Sequence, residues 1–136
     1  MKISIKLFLI FFLFIILDKI WFSFSASFFK SQIGSMMNMD GEEIKLRIAP
    51  AILVYVLMSI GLYYFVFFIK EPVNISEAIL RGGVLGFTIY GVFDLTNRAL
   101  LKHYPWEMVI VDMIWGTVIF SLISMILYFI NSLNFL

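Results

Sequence analysis

YGVFDLTNRALLKHYPWEMVIVDMIWG, residues 90–116, consists of two apolar segments joined by a short polar turn, and it carries Asp94, Asn97, Arg98 and Asp112. A membrane-spanning reading puts these four side chains inside lipid. An Asp or Arg at the centre of a spanning helix costs about 2.5–3.5 kcal/mol on insertion scales, so such groups face a bundle interior and find partners there. Tyr90, Asp94, Asn97 and Arg98 recur at helical intervals and share one stripe of a helix, with Asp94 and Arg98 one turn apart as an acid–base pair.

Composition supports the membrane reading. Of 136 residues, 62% are hydrophobic and 14% charged, and the mean hydropathy is +1.03; soluble domains carry roughly 25% charged residues. About 20 apolar residues cross the hydrocarbon core, so four spans and short loops use up the chain, and one all-α domain, a four-transmembrane-helix bundle over residues 1–136, is predicted. A net charge of +1 with scattered basic residues leaves no footprint for nucleic acid. Cysteine is absent, which excludes disulfides and thiolate chemistry.

The predicted spans cover about 7–29, 48–69, 79–101 and 106–130. In the first, Leu7 to Leu17 is unbroken Leu, Ile and Phe, and Trp21, Phe22, Phe24, Phe28 and Phe29 extend it beyond the 7–15 residues of a secretory leader's apolar core. It is therefore read as a retained span. Residues 30–48 form the longest polar connection, read as a solvated surface loop with one amphipathic turn, or alternatively as a lid over the polar site. Pro50 falls in the first turn of the second span, and Ser76 with Glu77 reads as the start of the third helix. Gly82 and Gly86, four apart, suit close helix packing. With Gly91 they also offer a face for a homodimer. Tyr104 and Trp106 suit the headgroup level. Four spans put both termini on one side; Lys2 and Lys6 beside the first span favour the cytoplasmic side, although the overall Lys/Arg count leans slightly the other way.

At 1.5 Å of rise per residue, Asp112 lies roughly 9 Å, Asp94 roughly 10 Å and Asp18 roughly 16 Å below one membrane face. Asp18 with Trp21 and Asp112 with Trp115 repeat the same Asp-x-Ile-Trp spacing. Adjacent antiparallel spans would set Trp115 beside Asp18 and Trp21 beside Asp112, each indole N–H donating to the opposite carboxylate. One account of the polar layer is a structural network in which Arg98 and Asn97 satisfy the acids. The other is a site: three acids face one deep cation, and a carboxyl that keeps its proton there can pass it to a ligand.

Asp18-Lys-Ile-Trp21, Tyr90-Gly-Val-Phe-Asp94-Leu-Thr-Asn97 and Asp112-Met-Ile-Trp115-Gly116 resemble the small bacterial membrane proteins of domain-of-unknown-function family 2177. The resemblance implies a multi-pass bacterial inner-membrane protein carrying this polar set, and it implies no activity. Phe93 and Arg98 depart from the pattern, which has Tyr and an apolar residue there; the departure favours Arg98 as a local charge partner.

The leading expectation is a pocket for a lipid-like or isoprenoid-like small molecule. Asp94, Asp112 and Asp18 are its candidate catalytic groups, and Trp21, Tyr90, Asn97, Arg98 and Trp115 its candidate ligand-binding groups. A small proton- or cation-coupled transporter and a structural or regulatory membrane subunit are the alternatives. No cofactor and no metal site is expected, since the three Asp have no suitably placed His beside them.

Overall fold

The structure is a computed structural model that describes residues 2–133. It is all-helical apart from a small hairpin. Four long helices run α1 (Ile3–Ile33), α2 (Ile48–Leu62, continued by a π-helical turn Tyr63–Phe68), α3 (Ile75–Leu100) and α4 (Trp106–Ser132). Three of them, Ile48–Phe68, Ile75–Leu100 and Trp106–Ser132, are long and apolar enough to cross a membrane.

Helix α1 outruns its predicted span at both ends because no Gly or Pro interrupts it before Gly34. Its inward stripe is Ile10, Phe14, Asp18, Ser25 and Phe29, all buried. Its outward stripe, Phe8, Phe12, Ile16, Ile20 and Phe24, is apolar and exposed. Asp18 therefore points inward from a helix whose outward stripe is apolar. Residues 34–47 form a 3-10 turn, Gly34–Met36, and two short antiparallel strands, β1 (Met39–Asp40) and β2 (Glu43–Ile44). Gly41 turns between the strands at φ 61°, in the left-handed region that favours glycine. Lys30 Nζ donates to the Glu42 carbonyl at 3.2 Å and ties the hairpin to α1.

The start of α3 lies earlier than Ser76. Asn74 is the cap: its Oδ1 accepts from the Glu77 N–H at 2.9 Å, and Glu77 Oε2 accepts in turn from the Val73 N–H at 2.7 Å. Two carboxamide and carboxylate oxygens thus satisfy donors that the first helical turn leaves free. Arg81 closes the same turn, donating to the Val66 and Lys70 carbonyls at the end of α2 and pairing with Glu77.

Helices α3 and α4 pack at backbone distance. A methyl group on Gly86 would overlap the Gly116 carbonyl and come within 2.8 Å of Phe120 Cβ; one on Gly82 would come within 2.6 Å of the Phe120 carbonyl. Gly82, Gly86 and Gly91, a candidate surface for a second copy, are all buried, with α4 of the same chain against them. A buried cluster including Phe14, Leu62, Phe120 and Ile123 fills one end of the molecule, and Phe29, Tyr104, Met108 and Val109 fill the other. The polar residues lie between the two. Lys6 Nζ meets Glu71 Oε1 at 3.7 Å, so α1 begins beside the α2–α3 turn.

Candidate functional site: an intramembrane aspartate–tyrosine cluster

Each acid is aimed inward by its helix. Asp94 is 0% exposed and sits one turn beyond Tyr90 on α3. Its Oδ1 accepts a hydrogen bond from the Tyr104 hydroxyl at 2.6 Å. Tyr104 is 3% exposed, in the turn that leads into α4, and Pro105 fixes the chain there as the helix cap. Burial first, and then the bond to Asp94, pushes the Tyr104 phenol up from its ordinary value, so it remains a donor. Asn97 reaches the same hydroxyl.

Asp112, on α4, stands within hydrogen-bond reach of Asp94. Asp94 Oδ2 has no N–H or O–H donor among the described residues. Asp18, on α1, accepts from the Trp115 indole N–H at 2.8 Å. The Tyr55 hydroxyl of α2 lies near the same carboxyl. Tyr90 lies within electrostatic range of Asp18, Asp112 and Asp94. A cavity of about 290 Å³ opens among them, lined by Asp18, Asp112, Tyr90, Tyr104 and Trp115 together with apolar side chains that include Phe22 and Met37.

Residues 3–129 match the family described as Predicted membrane protein (DUF2177). The chain belongs to this family. No curated protein and no solved structure matches the DUF2177 chain significantly.

Of the residues singled out in this DUF2177 sequence, Asp18, Asp112, Tyr90 and Trp115 line one cavity, and Asp94 adjoins it through Asp112 and Tyr104. The reciprocal tryptophan pairing is half formed. Trp115 donates to Asp18 as the repeat predicts, but Trp21 stacks face to face on Trp115, centroids 4.7 Å apart and planes 6° from parallel. Its buried Nε1 has no hydrogen-bond partner among the described residues, Asp112 included.

Arg98 corrects a second expectation. Among the described residues it makes no ion pair with Asp94; its guanidinium lies over the Trp106 ring, 5.3 Å from the centroid. Its Nε is buried without a partner among the described residues, so the stack on the indole, and not an ion pair, holds the cation at the end of α3. Lys19, next to Asp18, is exposed. Among the described residues no Lys or Arg lines the acid cavity.

Two tyrosines escaped the sequence reading. From sequence alone Tyr104 reads as a headgroup-level residue, and Tyr55 reads as one more aromatic of the second span. The available signal was chemical: a phenol deep in an apolar run must find a hydrogen-bond partner, and buried carboxyls are such partners. Among the described residues no group of three or more His, Cys, Asp or Glu is arranged to hold a metal ion.

Proposed function

We propose that the protein is a four-span bundle of the bacterial inner membrane, with both termini cytoplasmic, whose aspartate–tyrosine cavity binds a lipid-like or isoprenoid-like small molecule and exchanges a proton with it. The Asp94–Asp112 pair carries the reading. Two carboxyls within hydrogen-bond reach of each other need a proton between them, because a carboxylate has no donor of its own. That proton sits beside a cavity, where a bound polar group can take it or return it.

Support for the fourth span comes from α1, whose exposed stripe from Phe8 to Phe24 is a larger apolar surface than a water-facing helix carries. The roles follow from position. Asp94 and Asp112 share the transferable proton, Tyr104 holds Asp94 in place with Asn97 near the same hydroxyl, and Asp18, held by Trp115 with Tyr55 nearby, presents the second acidic wall. Trp21, stacked on Trp115 with its indole N–H buried, backs the Trp115 wall of the cavity. Arg98, on Trp106, has no part in the chemistry.

Mass spectrometry of lipids retained by the purified protein tests the proposal. Wild type should carry a defined species that Asp94→Asn and Asp112→Asn lose and Arg98→Gln keeps. Identical retention across all four proteins would overturn it.

A further inference from the structure

The two carboxyls of the Asp94–Asp112 pair stand in different surroundings. Asp112 lines the cavity of about 290 Å³ and is half-buried, whereas Asp94 is 0% exposed and does not line it. Asp94 Oδ1 accepts from the Tyr104 hydroxyl at 2.6 Å, and its Oδ2 accepts from no N–H or O–H among the described residues. The Asp112 carboxyl is the other polar group within its reach. Asp112 in turn has Asp94 as its hydrogen-bond neighbour, with Asp18 on α1, Tyr90 on α3 and Tyr104 as the other titratable groups around the cavity.

A single proton between the two acids has two resting places. On Asp94, it leaves the charge on Asp112, among Phe22, Phe29, Ile33 and Met37 and near a second acid, Asp18, while Tyr104 donates to a neutral carboxyl. On Asp112, it leaves the charge on Asp94, which then accepts from both the Tyr104 phenol and the Asp112 O–H. Hydrogen bonds to an ionised group are roughly twice as strong as those between neutral ones, so two donors on the charged acid favour the second placement. Burial alone pulls the other way, because Asp94 is the deeper acid. Asp112 offers the charge little in return, since the cavity walls beside it are mostly apolar and hold no Lys or Arg among the described residues.

We infer that the resting proton of the pair sits on Asp112, and that Tyr104 is the positioning residue that keeps it there by donating to Asp94. The inference rests on the proposed proton-exchanging site and adds which acid meets the ligand and the direction of the first transfer. In that transfer the Asp112 O–H bond breaks, its electron pair stays on Asp112, and a lone pair on the ligand takes the proton. Asp94 remains a carboxylate and touches no ligand. Two facing carboxylates then draw the proton back, which makes the step reversible.

Dicyclohexylcarbodiimide, an apolar reagent, tests this on the purified full chain in lipid nanodiscs at neutral pH. A nitrogen of the reagent takes the proton of a carboxylic acid and the carboxylate oxygen adds to its central carbon, so the adduct marks an acid that is both protonated and reachable. Peptide mass spectrometry should find the adduct on Asp112. In Asp94→Asn the side-chain amide donates to Asp112 and holds it as the carboxylate, so labelling there should be lost. In Tyr104→Phe the proton balance should move about fivefold toward Asp94, the difference between a hydrogen bond to an ionised and one to a neutral carboxyl, and labelling of Asp112 should slow by up to that factor. Loosened packing alone would expose the acids and speed labelling, so the direction of the change separates positioning from a merely structural role. Asp112 unlabelled in wild type, labelling kept in Asp94→Asn, or labelling unchanged or faster in Tyr104→Phe would overturn the inference. The infrared band of protonated carboxyls separates that failure from failure of the site. A band that the Asp94→Asn/Asp112→Asn double variant removes, with Asp112 unlabelled, keeps the shared proton and overturns its placement. Absence of such a band overturns the shared proton as well.

Discussion

Replacing Tyr104 with Phe removes one oxygen atom and the hydrogen bond that Asp94 Oδ1 accepts at 2.6 Å. Asp94 is fully buried and its other oxygen has no donor among the described residues, so the variant leaves this carboxyl with only Asp112 in reach. A hydrogen bond to a charged group contributes about 1.5–3 kcal/mol, and a buried acceptor left unpaired costs a similar amount. For a chain of this size such a loss should lower the melting temperature by about 5–15 °C. The assay is thermal unfolding of the purified protein in detergent, with Asp94→Leu and the double variant alongside. If the hydrogen bond is the cause, the two substitutions should not add, since the double variant has no acceptor left to strand. A melting point for Tyr104→Phe within about 1 °C of wild type, or full additivity in the double variant, would refute the reasoning.

Two further substitutions test the packing and the correction at Arg98. Gly116→Ala sets a methyl group into the Tyr90 ring, with Tyr90 Cβ 2.8 Å away, and should destabilise the α3–α4 pair by about 1–3 kcal/mol in the same melting assay while moving Tyr90 out of the site. Arg98→Gln loses only the contact with Trp106, so its cost should stay near 0.5–1 kcal/mol and ligand retention should be unchanged. A loss as large as that of Tyr104→Phe would mean that Arg98 neutralises Asp94 after all.

The all-helical class was legible because apolar runs of membrane length stand between unmistakable breaks at Lys70–Asn74 and His103–Pro105. The helix ends were less so. Asn74 and Ser76 are both competent caps two residues apart, and only the placement of Glu77 against Val73 decides for Asn74. Helical spacing put Tyr90, Asp94 and Asn97 on one face, since that depends on nothing beyond one helix. Which partner each acid meets depends on helix rotation and on side chains from other helices. Arg98 illustrates the limit: an i,i+4 acid–base spacing permits a pair, but burial of Asp94 and the nearby Trp106 ring give the guanidinium a better place. Tyr55 and Tyr104 were hidden because a tyrosine in an apolar sequence reads equally well as core, interface or site.

Solid-state NMR on protein with carboxyl-labelled aspartate in lipid bilayers measures the acid cluster directly, because the chain has four aspartates and Asp40 lies apart in the hairpin. A proton shared between two carboxyls sets their oxygens about 2.5–3.0 Å apart. A shared proton should give a strong carboxyl–carboxyl cross-peak between Asp94 and Asp112 that disappears in Asp112→Asn. A spectrum in which Asp94 couples to no other aspartate would contradict it.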